Sequence, residues 1–338
     1  MSAHTERQQH LPAFARDRVN LASLGLGARA VSVTDEFFAP MMRMLQDSAP
    51  VFIPDKFDTH GKWMDGWETR RRRDAGHDYA VVALAARGRI DGFGIDTTHF
   101  TGNYAPAVRI EATVSDKDPD GSGRLEWVEI LPTQGLDGDA SHFFECTNQA
   151  SWTHLRVHIY PDGGIARLRA YGLPVIEMAQ ADETLDLASA LLGGRILAMS
   201  DAHYGDYQRL LSPGRGQNMG DGWETRRLRQ PGHDWAVIAL GARGRVTRAL
   251  VDTAYFKGNY PDRCSIQAAD LTGMDNRLTD AIVNAAMFWP ELMAERPLGP
   301  DTEHVFEDLA DIGPVTHVRF NILPDGGVSR LRLFGRLE

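Results

Sequence analysis

Two groups of residues are spaced for chemistry on a small molecule. Glu68, Arg70, Arg71, Arg73, His77 and Asp78 fall within eleven residues, in DGWETRRRRDAGHD. Asp96, His99 and Asn103 follow in DTTHFTGNY. Both groups occur twice: Glu224, Arg226, Arg227, Arg229, His233 and Asp234 lie in DGWETRRLRQPGHD, and Asp252 and Asn259 in DTAYFKGNY. A glutamate in a loop at a strand end can serve as a general base, or can pair with the arginine beside it. Arginines can hold a carboxylate in a two-pronged fork, or form a solvated charge run. Arg72 faces Leu228 in the second copy, so it is the arginine with least claim to a role. His77 and His233 are acid/base candidates near neutral pH, or strand-end histidines bonded to backbone. Asp96 and Asp252 can satisfy loop amides, and Asn103 and Asn259 can simply turn the chain. Trp67 and Trp223 are read as core before stacking platforms.

The elements that must position these groups are read from the duplication. Asp65–Tyr104 and Asp221–Tyr260 align without a gap over 40 positions, 25 of them identical. Thr153–Gly172 matches Thr316–Gly335, and the segments opening at Asn20 and Asp186 match as well. The order is kept, so the unit is domain-sized, far longer than a solenoid repeat. Expected boundaries are an arm over 1–19, a first repeat over 20–172, a linker over 173–185 and a second repeat over 186–338. Alternating strands such as Arg156–Tyr160, followed by Pro161-Asp162-Gly163-Gly164, are hairpin signals. Many short strands with Gly and Pro turns predict two tandem antiparallel jelly-roll β-sandwiches, an all-β fold. Short 3.6-period windows are confined to Phe37–Leu45 and Tyr204–Leu211. Tyr79–Ala86 reads as a central strand that reverses at Arg87-Gly88-Arg89 into Ile90–Ile95. Such a hairpin would pair residues whose numbers sum to about 176. His77 and Asp78 would then face Asp96, Thr97 and His99 across roughly 4.5–5.5 Å.

Composition limits the partners. The chain has 338 residues, 43% of them apolar, and a net charge of -10. This argues against general nucleic-acid binding but not against a local basic pocket for a small anion. No run is apolar enough to span a bilayer, and the polar N-terminus lacks a signal peptide's apolar core. Cys146 and Cys264 form no pattern, so a reducing, cytoplasmic setting is expected. His77, Asp78, Asp96 and His99 are metal-ligand types without a compact signature. No cofactor is firmly implied, and a divalent metal stays an alternative.

The doubled DGWETRR…GHD, the DTTHFTGNY and DTAYFKGNY segments and the PDGG turn near the end of each half resemble the allantoicase family across residues 20–336. The resemblance implies hydrolysis of allantoate to ureidoglycolate and urea in purine and allantoin catabolism. It also implies galactose-binding-like jelly rolls and a homo-oligomer. On that basis Arg70, Arg71 and Arg73, or Arg226, Arg227 and Arg229, would clamp the substrate carboxylate. Glu68 or Glu224 would be the base, and His77 or His233 the acid. Asp78, Asp96, His99, Asn103, Asp234, Asp252 and Asn259 would line the ureide. The rival readings are a non-catalytic carbohydrate-binding or interaction protein on the same sandwich, and a ureide hydrolase acting on ureidoglycolate.

Overall fold

The computed structural model describes residues 11–119, 125–176, 183–275 and 278–338. The described chain falls into two compact units, meeting in sequence at Val175 and Ile176. Each unit is an antiparallel β-sandwich of the jelly-roll type, built on one eight-stranded network, with two small two-stranded ribbons beside it in the first unit and one in the second among the described residues.

In the first unit a helix, α1 (Ala13–Asp17), precedes the strands. Phe14 sits against Phe143 and Tyr171, and Arg18 pairs with Asp91. The last part of the expected loose arm is therefore docked. Four strands carry the rest of the argument: β1 (Asp78–Asp96), β2 (Ala107–Thr113), β3 (Ser151–Tyr160) and β4 (Arg167–Pro174). Alternate residues Val108, Ile110 and Ala112 of β2, and Leu155, Val157 and Ile159 of β3, are wholly buried. The period of two therefore turns Arg109, Glu111, Arg156, His158 and Tyr160 to the outer face.

The expected hairpin at Arg87-Gly88-Arg89 does not form. β1 is one unbroken strand of 19 residues. Its first part pairs with β3, Asp78 opposite Ile159, and its second part with β4, Asp96 opposite Arg167. The two parts do not pair with each other, so the cross-strand distances expected from a hairpin do not apply. The ends nevertheless meet one rim. Asp78 N donates to Pro161 O at 3.2 Å, and Ala166 N donates to Asp96 O at 2.7 Å. Residues 161 and 166 can be no more than about 18 Å apart, while a straight strand of this length would span about 60 Å. The strand must turn a corner, passing from one layer of the sandwich to the other. Gly88 marks it, opposing both Trp152 and Pro174. A Cβ there would lie 2.5 Å from Leu21 Cδ1 and 2.8 Å from Leu173 O. Glycine is thus needed for close packing at the corner.

The second unit repeats the plan with β5 (Asp234–Asp252), β6 (Arg263–Ala269), β7 (Val315–Leu323) and β8 (Arg330–Leu337). Asp234 N donates to Pro324 O at 3.0 Å and Ser329 N to Asp252 O at 2.7 Å. An added helix, α2 (Thr279–Ala286), packs Ile282 and Ala286 with Trp289 onto Val237. The two short helical windows appear as 3-10 turns, Met41–Leu45 and Tyr207–Leu211.

Candidate active site

The rim is assembled from three loops. Trp67–Glu68 forms a two-residue strand against Gly164–Ile165. Trp67 is wholly buried and its Nε1 donates to Asp35 O at 2.8 Å, so alternation turns Glu68 outward. Trp223 does the same with Asp201 O. Both tryptophans are core. Asn103 Nδ2 donates to Glu68 Oε1 at 2.7 Å, and Asn259 Nδ2 to Glu224 Oε1 at 2.5 Å. Residues that bracket the ends of each long strand are thus joined directly. Burial pushes the Glu68 carboxyl above its ordinary range, against the lowering bond from Asn103.

His99 and Tyr255, at matching positions, hold φ of 70° and 69°. Left-handed backbone is costly for such residues. His99 N donates to Asp139 Oδ1 at 2.8 Å and Tyr255 N to Asp301 Oδ1 at 2.7 Å. Asp139 and Asp301 are themselves left-handed, at 53° and 49°. These four are the non-glycine residues of positive φ among the described residues, and they fall at equivalent rim loops. The same unfavourable backbone is thus kept at the same place in both repeats. Beneath it Phe100 is wholly buried against Gly164, where a Cβ would lie 2.2 Å from the ring. Beside it the Phe52 ring lies 5.9 Å from His99, with Lys62 Nζ 4.9 Å from Phe52.

The arginines divide. Arg70 is committed: its N and Nε donate to Asp35 at 3.0 and 2.5 Å. Arg226 is held the same way by Asp201. Arg71, Arg73, Arg227 and Arg229 are exposed, with no polar partner among the described residues. Arg72 is a tether, donating to Asp74, His77 O and Asp78 Oδ1. A cleft of about 550 Å³ opens beside Arg70, lined also by Asp35, Glu36, Phe37 and His60.

Several expected residues sit elsewhere than the hairpin would place them. Asp78 is 1% exposed, and its carboxylate accepts from Thr34 Oγ1 at 2.8 Å and Arg72 Nη1 at 2.6 Å. Asp234 is anchored by Ser200 Oγ at 2.7 Å, and with Leu228 in place of the arginine, burial pushes its carboxyl up. Asp96 caps Thr98 N at 2.8 Å. Asp252, 1% exposed, caps Ala254 N and accepts from Arg215 Nε at 3.2 Å. His77 does not turn toward Asp96 or His99. Its Nε2 lies 2.8 Å from His158 Nδ1, and its ring centroid lies 4.5 Å from that of Tyr160 at a 30° tilt, on the outer face of the sheet. Burial, with the cations Arg109 and Arg72, lowers the proton affinity of His77. His233 instead meets Asn321 Oδ1 at 3.3 Å. No group of three or more His, Cys, Asp or Glu among the described residues is arranged to hold a metal.

Sequence reading missed Asp35 and Asp201, which orient both the tryptophan and the first arginine of each motif. Extending the match that opens at Asn20 and Asp186 by two residues aligns them, along with Thr34 and Ser200. It also missed His158 and Glu111, whose contact depends on the pairing of distant strands.

Each repeat is a jelly-roll sandwich whose rim carries an amide-bound carboxylate, left-handed loops and free guanidinium groups, so the chain is of the tandem β-sandwich class. Residues 19–175 and 185–338 each match the allantoicase repeat, and the chain belongs to the allantoicase family. A probable allantoicase of Rhizobium meliloti is 59% identical over 98% of both chains. A probable allantoicase 2 of Burkholderia pseudomallei is 54% identical over 96% of this chain and 97% of its own. The crystal structure of allantoicase from Saccharomyces cerevisiae superposes with a TM-score of 0.81 at 36% identity, covering 99% of this chain and 98% of that one.

Proposed function

We infer that the chain hydrolyses allantoate to ureidoglycolate and urea, as a hydrolase of carbon–nitrogen bonds in linear amidines. The observation that carries this is the match of both repeats to one family over nearly the whole chain. Allantoate bears one carboxylate and two planar ureido groups on a tetrahedral carbon. The free arginines of the DGWETRR loop suit the carboxylate. Asn103 and the loop around His99 suit the ureido N–H and C=O groups. Loss of urea needs a proton on a poor nitrogen leaving group, and water must replace it. Glu68, desolvated and held by Asn103, is the base for water, and His77 supplies the proton to departing urea.

Two finer readings go with this. The repeats are read as 20–172 and 186–338, each a whole copy of one ancestral domain. The protein works in the cytoplasm as a homo-oligomer. Two free, buried cysteines fit a reducing compartment, and the exposed Phe57 is an apolar side chain available to a second copy. Light scattering in solution tests the oligomer.

The main test is urea release, followed with allantoate and ureidoglycolate side by side, with and without a chelator. Release from allantoate alone is expected. A protein inert toward allantoate overturns the reading, and release from ureidoglycolate alone selects the other ureide hydrolase.

A further inference from the structure

The outer face of the first repeat carries a chain of titratable groups that the second repeat lacks. His158 Nε2 lies 2.8 Å from Glu111 Oε2, and His158 Nδ1 lies 2.8 Å from His77 Nε2. Glu111 is further held by Arg156, and Arg109 Nη1 donates to its Oε1 at 3.0 Å. Arg109 Nε donates to Tyr160 Oη at 2.9 Å. His158 and Glu111 are 4% and 9% exposed, whereas His77 is half-buried at the end of the chain. In the second repeat, register puts Ser265 where Arg109 is, Gln267 where Glu111 is, Asn321 where His158 is and Leu323 where Tyr160 is. His233 alone remains, bonded to the amide of Asn321. The connection that follows β6 also differs from the one that follows β2. Residues 114–127 join β2 to its edge neighbour, whereas residues 270–290 carry α2, which packs on Val237 of that face.

The bonds dictate the tautomers. Glu111 is a carboxylate held below its ordinary range by His158 and Arg156, although burial works the other way, so it accepts. His158 Nε2 must therefore carry the hydrogen, leaving Nδ1 as an acceptor. His77 Nε2–H then donates to it, and His77 Nδ1 keeps a lone pair with no partner among the described residues. A carboxylate behind two imidazoles orients the outer ring and stabilises the cation that forms when it takes a proton.

We propose that the proton transfer to departing urea is run by the first repeat alone, with His77 touching the substrate and His158 and Glu111 as positioning residues behind it. This rests on the allantoate reading above. His77 Nδ1 takes the proton of the retained ureido N–H. That electron pair forms a C=N bond as the C–N bond to the other ureido group breaks. The departing nitrogen takes the proton back from His77 and leaves as urea. Water then adds across C=N, oxygen to carbon and a proton to nitrogen, giving ureidoglycolate. His77 ends as it began.

Charged and titratable groups around the His77–His158 pair come from every packed element: Arg72 and Asp78 at the loop, Tyr79 on β1, Arg109 and Glu111 on β2, Glu129 at the edge, and Arg156 and Tyr160 on β3. His77 works as the neutral ring, so activity appears as pH rises through its titration. Glu111 raises that titration and Arg109 lowers it.

The test uses the full chain and steady-state urea release from allantoate. Glu111→Gln, nearly the same shape, and His158→Asn, which copies the second repeat, should each lower kcat by at least about tenfold with KM nearly unchanged. The acidic limb of the kcat/KM profile should move to lower pH in Glu111→Gln and to higher pH in Arg109→Met. His158→Asn added to His77→Gln should cost no more than His77→Gln alone. Thermal unfolding checks that each variant folds; should His158→Asn fail, Glu111→Gln still decides. Wild-type kcat and an unmoved limb in Glu111→Gln, or additive losses in the double variant, overturn the proposal while the allantoate reading stands. A wild-type protein inert toward allantoate overturns both.

Discussion

Arg167 Nη2 donates to Asp65 Oδ2 at 2.6 Å, with 2% and 4% of the two side chains exposed. Arg167 opens β4 directly opposite Asp96, and it also donates to the carbonyls of Ser48 and Asp65 at 2.8 Å each. Arg330 repeats the arrangement with Asp221 at 3.0 Å. One buried guanidinium therefore staples the first residue of each DGWETRR motif to the rim. Removing its counter-charge leaves a cation uncompensated in the interior. Asp65→Ala should cost about 3–5 kcal/mol in denaturant unfolding. A loss under about 1 kcal/mol would mean that water reaches Arg167 and that the staple is an exposed pair.

The legible part of this structure was the repeat and the rim; the route to the rim was not. Alternation and PDGG turns identify strands because they are local. Whether Arg87-Gly88-Arg89 is a turn or a corner depends on which distant strands pair with each half of β1, and periodicity carries no record of that choice. Both routes bring the strand ends together, which is why Glu68 and Asn103 meet although the hairpin is absent. The direction of His77 was lost for the same reason. Alternation along β3 puts Arg156 and His158 on one face, but Glu111 reaches that face only through the β2–β3 register.

Glu68→Gln separates chemistry from stability. A glutamine keeps an oxygen for Asn103 but cannot take a proton from water, so urea release should fall by about 10²- to 10⁴-fold. The pKa of Glu68 is raised in the folded protein. Its contribution to stability is therefore present at low pH and is lost as pH rises through the folded value. The variant has no such loss. Its melting temperature should exceed the wild type's by a degree or two at neutral pH, the gap closing in acid. A variant that keeps near-wild-type turnover removes Glu68 as the base.

Arg71 and Arg73 are free where Arg70 is spent on Asp35, so the carboxylate clamp should come from them. Charge-assisted bonds are worth about 1.5–3 kcal/mol each. Arg71→Met or Arg73→Met should then raise KM by about 10- to 100-fold with kcat little changed, the signature of lost uniform binding. Arg70→Met should act through the Asp35 loop and lower the melting temperature instead. An unaltered KM in both of the first two variants transfers the clamp to Arg227 and Arg229, whose replacement gives the matching test.

The paired left-handed residues tell which rim is in use. His99 and Tyr255 pay for φ near 70° with the same device, an aspartate accepting from their own amide. Glycine tolerates that backbone freely, though it also has more freedom to lose on folding, so His99→Gly and Tyr255→Gly should each change stability by no more than about 1 kcal/mol. Folding being nearly level, any difference in turnover reports the side chain. If the first repeat does the chemistry, His99→Gly should depress kcat/KM for allantoate by at least about tenfold, because a ring that lines the rim beside Phe52 is gone. Tyr255→Gly should then have the smaller effect. Asp139→Ala supplies the complementary perturbation: the ring stays, but the amide of His99 loses its acceptor and the loop is free to relax. A loss of activity in Asp139→Ala comparable to that in His99→Gly would show that the held conformation matters as much as the imidazole. Equal and small effects of all three would mean that the strain serves folding of the Phe100 loop, and the substrate would have to be sought away from this corner.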